Sequence, residues 1–531
     1  MKILLLDSIE TMCAQKLRAE NFDVVEKPKL FKEELLKIIS EFDAVVVRSA
    51  TQITSEIISA GINLKVIGRA GAGVDNIDAD AATRKGILVM NTPGGNTIST
   101  AEHTMSLLLS LARKIPQANA SLLRNEWERK KFLGTELQGK TIGVVGLGKV
   151  GREVAKRCQA FEMNVIGFDP VLSPDIAAKM NIQLVSLEEL YRRSDFITLH
   201  TPLNDETKNL LSDATLKKCK QGVRIINCAR GGLVNEVDLL KYLESGNVAG
   251  AALDVFENEP PKDSPLLKHP NVIATPHLGA STEEAQEKVA LQIAEQIADY
   301  LHGRGIAGAI NGDAIQLAQK EETKPFIQLA EKIGKLFAQL LKGNLRSITV
   351  STYGSQLNDS LPIFVSAVLK GTFNVLLSEP VNFINANSIA KERGIEIVEK
   401  KGMEHNAYSQ LLKVEFKTDK EKRSFAGTVF GNLARLGGGN LRIVEIDEFY
   451  FEVIPEGHLL FYSNIDQPGM LATASKILAD AKINIGNVSL GRSGIGEKAL
   501  TVMTVDSPIA ENVLRNLSNI SGVEDVQLVS L

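Results

Sequence analysis

Short apolar runs alternate with longer amphipathic stretches along the first half of the chain. Residues 3–6, 44–47, 65–67 and 88–90 read as buried parallel strands, with helices at 33–39 and 54–60 between them. Residues 98–114 are apolar on a helical period and carry the chain onward. The rhythm then resumes, with strands at 142–145, 165–168, 182–185, 196–199, 224–227, 250–254 and 272–274 and a long helix at 281–301. This pattern predicts α/β architecture: two doubly wound parallel-sheet domains.

The glycine-rich segment 303–312 reads as a linker or hinge, and the pattern changes after it. Residues 313–454 mix a helix at 324–341 with alternating strands at 409–416, 425–430 and 441–446, an α+β region. Pro455-Glu456-Gly457 punctuates again, and 458–531 reads as a small βαββαβ unit. The expected domains are 1–98 (completed by about 284–310), 99–283, 313–454 and 458–531.

Composition narrows the class. The chain is 44% hydrophobic and 23% charged, the balance of a soluble globular protein. A net charge of −4 gives no basic field for nucleic acid. No run of about 18 apolar residues could span a membrane, and MKILLLDSIE turns acidic too soon for a signal peptide. The scattered Cys13, Cys158, Cys219 and Cys228 suit a reducing cytoplasm and form no metal-binding spacing.

The chemistry centres on residues 141–169. A strand ends in Gly146-Leu147-Gly148-Lys149-Val150-Gly151, a helix follows with Val150, Val154, Cys158 and Phe161 on one face, and a second strand ends at Asp169. Gly146 permits a tight turn, Gly148 lets backbone approach a pyrophosphate, and Gly151 lets the helix pack close. The helix N-terminus attracts phosphate. Asp169 can accept from ribose hydroxyls and would repel a 2′-phosphate, and no Arg or Lys adjoins it in sequence. The expected cofactor is NAD rather than NADP.

Strand tips collect the remaining candidates. Arg48 is placed like an anion ligand, with an ordinary surface arginine as the alternative. Arg230, Glu259 and His277 end or follow successive strands of the dinucleotide sheet. His277 suits a base near neutral pH, Glu259 would orient it and favour its protonated form, and Arg230 would grip a substrate carboxylate in two prongs. Read by charge alone, the loop Trp127-Glu128-Arg129-Lys130-Lys131-Phe132 is a solvated surface segment.

Residues 48–280 resemble the D-isomer-specific 2-hydroxyacid dehydrogenases. The motifs that carry the likeness are the glycine turn, Asn227-Cys228-Ala229-Arg230-Gly231-Gly232, Ala252-Leu253-Asp254-Val255-Phe256 with Glu259-Pro260, and Pro276-His277-Leu278-Gly279. The resemblance implies that Arg230, Glu259 and His277 are catalytic. The chain looks most like long members of the family that oxidise 3-phosphoglycerate to 3-phosphohydroxypyruvate, the first step of serine biosynthesis. It implies that Arg48, Asn96 and, from a partner subunit, Arg129 bind the phosphorylated substrate, which revises the bland reading of the basic loop. It implies an NAD site lined by Ala72, Lys149, Val150, Asp169, Thr201, Cys228, Ala229, Asp254, His277, Leu278, Gly279 and Ala280. Ala72 replaces a Thr found in some members. Residues 313–454 resemble the intervening domain of the long members, and 458–531 resemble an ACT domain. There Asn464, Asp466 and Asn484 would bind L-serine between paired copies; a helix cap at Asp466 and a turn at Asn484 are the structural alternative. The family works as homodimers or homotetramers. Two rivals stay open: another D-2-hydroxyacid dehydrogenase of the glyoxylate type, and an NAD-sensing corepressor.

Overall fold

The computed structural model describes residues 1–28, 30–312, 323–430 and 441–531. Its first sheet has five parallel strands in the order Asp23–Lys27, Lys2–Leu6, Ala44–Val47, Val66–Arg69, Leu88–Asn91. The edge strand Asp23–Lys27 escapes the apolar pattern because only Val24 is buried in it. Helix Glu283–Leu301 returns to this domain, where Ile293 and Ile297 join Ile3, Leu5, Val66 and Leu88 in one core. A Cβ on Gly68 would sit 2.6 Å from Ile297 Cδ1, so glycine there allows the helix to lie close.

The second sheet has seven parallel strands, ordered Val272–Ala274, Val248–Leu253, Val223–Asn227, Phe196–Leu199, Thr141–Val145, Asn164–Phe168, Gln183–Leu184. Strand order reverses between Thr141–Val145 and Phe196–Leu199, which opens a crevice at their carboxyl ends. Helix Thr97–Arg113 links the two domains and buries Ala101, Met105 and Leu108 against Ile142, Val144 and Val154. Helix Lys149–Ala160 buries Val154 and Cys158, but Phe161 caps it and is exposed, since the apolar face ends one turn earlier.

The stretch 303–312 is not a free hinge. Asn91 N donates to Gly308 O at 2.8 Å and Ile310 N to Val89 O at 2.8 Å, so the segment lies along the sheet edge. Asn311 Oδ1 accepts from Val89 N, and its Nδ2 donates to Thr83 Oγ1 and Ile87 O. Backbone groups that bond to a sheet edge are not available for pivoting. The expected start of the third domain, residue 313, lies outside the described residues.

The third sheet is mixed, with six strands: Glu396–Gly402, Leu345–Tyr353, Leu411–Thr418, Lys422–Val429, Leu441–Ile446, Phe449–Val453. Helices Lys324–Leu340 and Leu361–Leu376 cover one face. Leu361–Leu376 is apolar nearly all round, so it lacks the one-sided period that marks a surface helix. The fourth sheet is antiparallel, in the order Ile485–Arg492, Lys498–Val505, His458–Ile465, Val523–Ser530, with helices Met470–Asp480 and Glu511–Ser518 on one side. Its other face, Leu459, Phe461, Leu500, Val502 and Val529, is buried in the core of the third domain. Among the described residues no helix is long and apolar enough to cross a membrane.

Candidate active site

The dinucleotide turn is built from three glycines with different surroundings. Gly146 has φ +89°, and a Cβ there would lie 2.5 Å from His200 O. A Cβ on Gly151 would meet Gly146 O at 2.0 Å, so the helix starts hard against the turn. A Cβ on Gly148 would have nothing within 4 Å: this backbone faces open space at the N-terminus of Lys149–Ala160. That opening suits a pyrophosphate. Asp169 receives Leu147 N, Val171 N and Leu172 N at 2.8, 2.9 and 3.0 Å. Burial opposes its ionisation, but these N–H groups outweigh it and hold the carboxyl below its usual range. Arg152, not adjacent in sequence, lies within electrostatic reach of Asp169 and donates to Leu147 O at 2.7 Å. Lys149 Nζ reaches across to Pro93 O at 3.1 Å.

A cavity of about 290 Å³ lies between the two α/β domains. Ala72, Asn96, Val150, Thr201, Cys228, Ala229, Arg230, His277, Gly279 and Ala280 line it, together with Arg69, Gly73, Asp75, Thr100, His200 and Pro202, which sequence reasoning left out of the site. Burial pushes the His200 imidazole down to about 4, so a neutral ring sits at the crevice.

His277 Nδ1 is 2.7 Å from Glu259 Oε2. The hydrogen bond to Glu259 raises the histidine's pKa above its usual value, and its charge adds to this against partial burial. Glu259 shifts the other way: burial opposes, and the His277 contact wins, lowering it. His277 has φ +54°, a left-handed conformation uncommon for a non-glycine residue.

Arg230 Nε donates to Asp75 Oδ2 at 2.9 Å across the cleft, and Nη1 donates to Ala229 O at 2.7 Å. Gly73 makes room for it: a Cβ there would lie 2.0 Å from Nη2. Arg69 stands alongside, with its Nε buried and without a hydrogen-bond partner. Burial and the nearby Arg230 and Arg48 guanidinium groups push Arg69 down to about 10. Arg69 and Arg230 thus share one wall of the cavity; Arg48 acts on Arg69 from outside that wall, and the Asp75 and Asp7 carboxylates oppose the downward shift. The signal for Arg69 was present in the sequence, as an arginine at a strand tip before Gly71 and Gly73.

Other expected residues lie elsewhere. The Asp254 side chain has no solvent exposure, so it supports the site from beneath and does not line it. Arg129 is exposed on the 3-10 turn Arg129–Phe132, outside this chain's cavity. In the last domain Asn464 is buried, with Nδ2 bonded to Ile465 O and Oδ1 without a partner. Asp466 does not cap the helix, whose N-cap is Gly469; it pairs with Arg492 at 3.0 Å. Asn484 Nδ2 donates to Asp506 Oδ2 at 2.7 Å.

Comparison with known proteins places these parts. The profile of the D-isomer specific 2-hydroxyacid dehydrogenase NAD binding domain matches residues 105–279. The D-3-phosphoglycerate dehydrogenase intervening domain matches 322–447, and the ACT domain 458–522. D-3-phosphoglycerate dehydrogenase of Archaeoglobus fulgidus is 42% identical, covering 100% of both chains. That of Bacillus subtilis is 40% identical over 100% of this chain and 99% of its own. The human enzyme of that name is 43% identical over 91% of each. Among solved structures, a glyoxylate reductase from Paecilomyes thermophila is 32% identical with a TM-score of 0.54, covering 58% of this chain and 98% of that one. The NAD complex of a Staphylococcus aureus NAD-dependent formate dehydrogenase is 29% identical with a TM-score of 0.54, covering 58% and 97%.

Proposed function

The chain belongs to the D-3-phosphoglycerate dehydrogenases, within the D-isomer-specific 2-hydroxyacid dehydrogenases, and from that membership we infer how its residues carry the reaction. The reaction is oxidation of 3-phosphoglycerate at its 2-hydroxyl to 3-phosphohydroxypyruvate. Bound NAD would supply the hydride acceptor for C2. The open backbone at Gly148, the first N–H groups of helix Lys149–Ala160 and the Asp169 carboxylate are fitted to hold it.

His277 takes the hydroxyl proton through Nε2, because Nδ1 is held by Glu259. Glu259 fixes the ring and stabilises the imidazolium. Arg230 grips the substrate carboxylate, and Arg69 and Arg48 receive the phosphate. The observation that carries the substrate assignment is the orphaned, buried Nε of Arg69 beside two further arginines. A buried guanidinium N–H without a partner lowers its energy by taking an anion, even with Asp75 and Asp7 nearby, and a phosphorylated acid brings two anionic groups. Steady-state reduction of 3-phosphohydroxypyruvate by NADH tests this against glyoxylate and pyruvate. Preference for a plain oxo acid overturns it.

We further propose a homo-oligomer. Leu122, Leu123, Trp127 and Leu133 are exposed near Arg129, a surface that suits a second copy bringing Arg129 to its neighbour's site. L-Serine is the proposed effector at Asn464, Asp466 and Asn484, where the unpartnered Asn464 Oδ1 can accept from an ammonium. Val488 and Leu490 on strand Ile485–Arg492 are exposed, an apolar face that suits contact with a second such domain. Serine titration of the full chain, with sedimentation analysis, tests both; a monomer that ignores serine overturns both.

A further inference from the structure

Asp254 follows strand Val248–Leu253, and its carboxylate has no exposure to solvent. A charge so deep persists only when its lone pairs are met. Oδ1 receives Thr275 Oγ1 at 2.6 Å and Leu278 N at 2.8 Å; Oδ2 receives Gly279 N at 2.8 Å. These three donors belong to the turn that carries His277. The fourth contact comes from another element. His103, on the linking helix Thr97–Arg113, places Nε2 3.1 Å from Asp254 Oδ1 and 3.2 Å from Thr275 Oγ1.

The tautomer follows from this geometry. The Thr275 hydroxyl spends its proton on Asp254, so neither neighbour of His103 Nε2 has one to give. Nε2 therefore carries the hydrogen and shares it between the carboxylate and the hydroxyl. His277 itself sits at φ +54°, a conformation kept only where its surroundings over-determine it. Its N–H donates to Asp254 O at 2.9 Å, and the next two N–H groups go to the Asp254 carboxylate. Asp254 holds the turn, and His103 holds Asp254.

We propose that His103 is a positioning residue for hydride transfer: its Nε2–H locks the Asp254 carboxylate, which fixes the His277–Gly279 turn, and so ties that turn to the helix joining the two domains. The inference rests on His277 being the base.

The test compares H103L with H103Q in the full chain. Gln carries its Nε2 at nearly the reach of the imidazole Nε2 and can keep the donor; Leu cannot. In 3-phosphohydroxypyruvate reduction, H103L is expected to lose at least five-fold in kcat with KM for the oxo acid within three-fold. H103Q is expected to recover at least half of the wild-type kcat. A smaller loss in H103L, or no recovery in H103Q, overturns the proposal. If H103L does not fold, H103N, whose amide stops short of Asp254, takes its place with the same expectations. If the wild type does not turn over this substrate, the substrate reading fails on its own. NADH affinity then decides, because the turn borders the dinucleotide site: at least five-fold weaker binding in H103L, restored in H103Q, supports the role, and equal affinities overturn it.

Discussion

Glu259 Oε2 stands 2.7 Å from His277 Nδ1, and the two groups shift each other in opposite directions: the histidine upward, the carboxylate downward. Reduction needs the protonated ring as acid, so its kcat/KM should fall as pH rises through the raised pKa. Oxidation needs the neutral ring and should rise over the same range. E259Q removes the cause of the elevation, and both inflections should move down toward about 6.5. Above the wild-type inflection, reduction by E259Q should be slower than by the wild type at each pH. The histidine's share of the stabilisation is lost as pH rises through its raised value, and the carboxylate's share is lost as pH falls through its lowered one, so the pair supports the fold between the two. A pH profile with an unmoved inflection would contradict the assignment.

Gly71 has φ +149°, and a Cβ there would lie 1.4 Å from Arg69 Nη1. G71A must therefore displace the Arg69 guanidinium. KM for 3-phosphohydroxypyruvate should rise at least ten-fold, while NADH affinity, read by fluorescence, should change less than three-fold. A parallel loss of both would place Arg69 in cofactor binding and not in anion binding.

How far the sequence reveals these arrangements depends on what each residue needs. The glycine turn, Arg230, Glu259 and His277 were readable because each is fixed by its own strand tip. The burial of Asp254 was not, since lone pairs facing His103 and the His277 turn leave no local trace. His103 lies on a helix whose period names its buried face but not the strand it meets. The shared core of the last two domains did leave a trace: Leu459-Leu460-Phe461-Tyr462 is apolar without alternation, as a strand covered on both faces must be. The glycines at 303–312 suggested freedom, yet Gly303 and Gly308 take positive φ, and the segment is pinned to the sheet edge.

Asn311 is the pin. It accepts from Val89 N at 2.8 Å and donates to Thr83 Oγ1 and Ile87 O, both at 2.9 Å. N311A removes three contacts that are each worth about 1 kcal/mol net. The cost should be roughly 2–3 kcal/mol, since water can reach part of the vacated site. The thermal midpoint of the first domain should drop by several degrees. Calorimetric traces that superimpose on wild type would show that the segment is held elsewhere.

The fourth domain should not survive excision at Pro455. Residues 458–531 alone would expose Leu459, Phe461, Leu500, Val502 and Val529, all at most 7% exposed in the intact chain. Burial of such a side chain is worth about 1.5–3 kcal/mol, so the exposed face removes much of what holds a domain this small. Two further ties, Gln339 Nε2 to Ser530 O at 3.0 Å and Lys342 to Asp525, are cut as well. A fragment covering 323–531 keeps the core whole. It should elute as a discrete species, whereas 458–531 should aggregate or bind a hydrophobic dye strongly. Serine calorimetry should therefore give a titration with the longer fragment and none with the shorter. A well-folded, dye-silent short fragment would show that the two domains are separable, and that regulation could pass through a moving joint at Pro455-Glu456-Gly457 instead of a single rigid body.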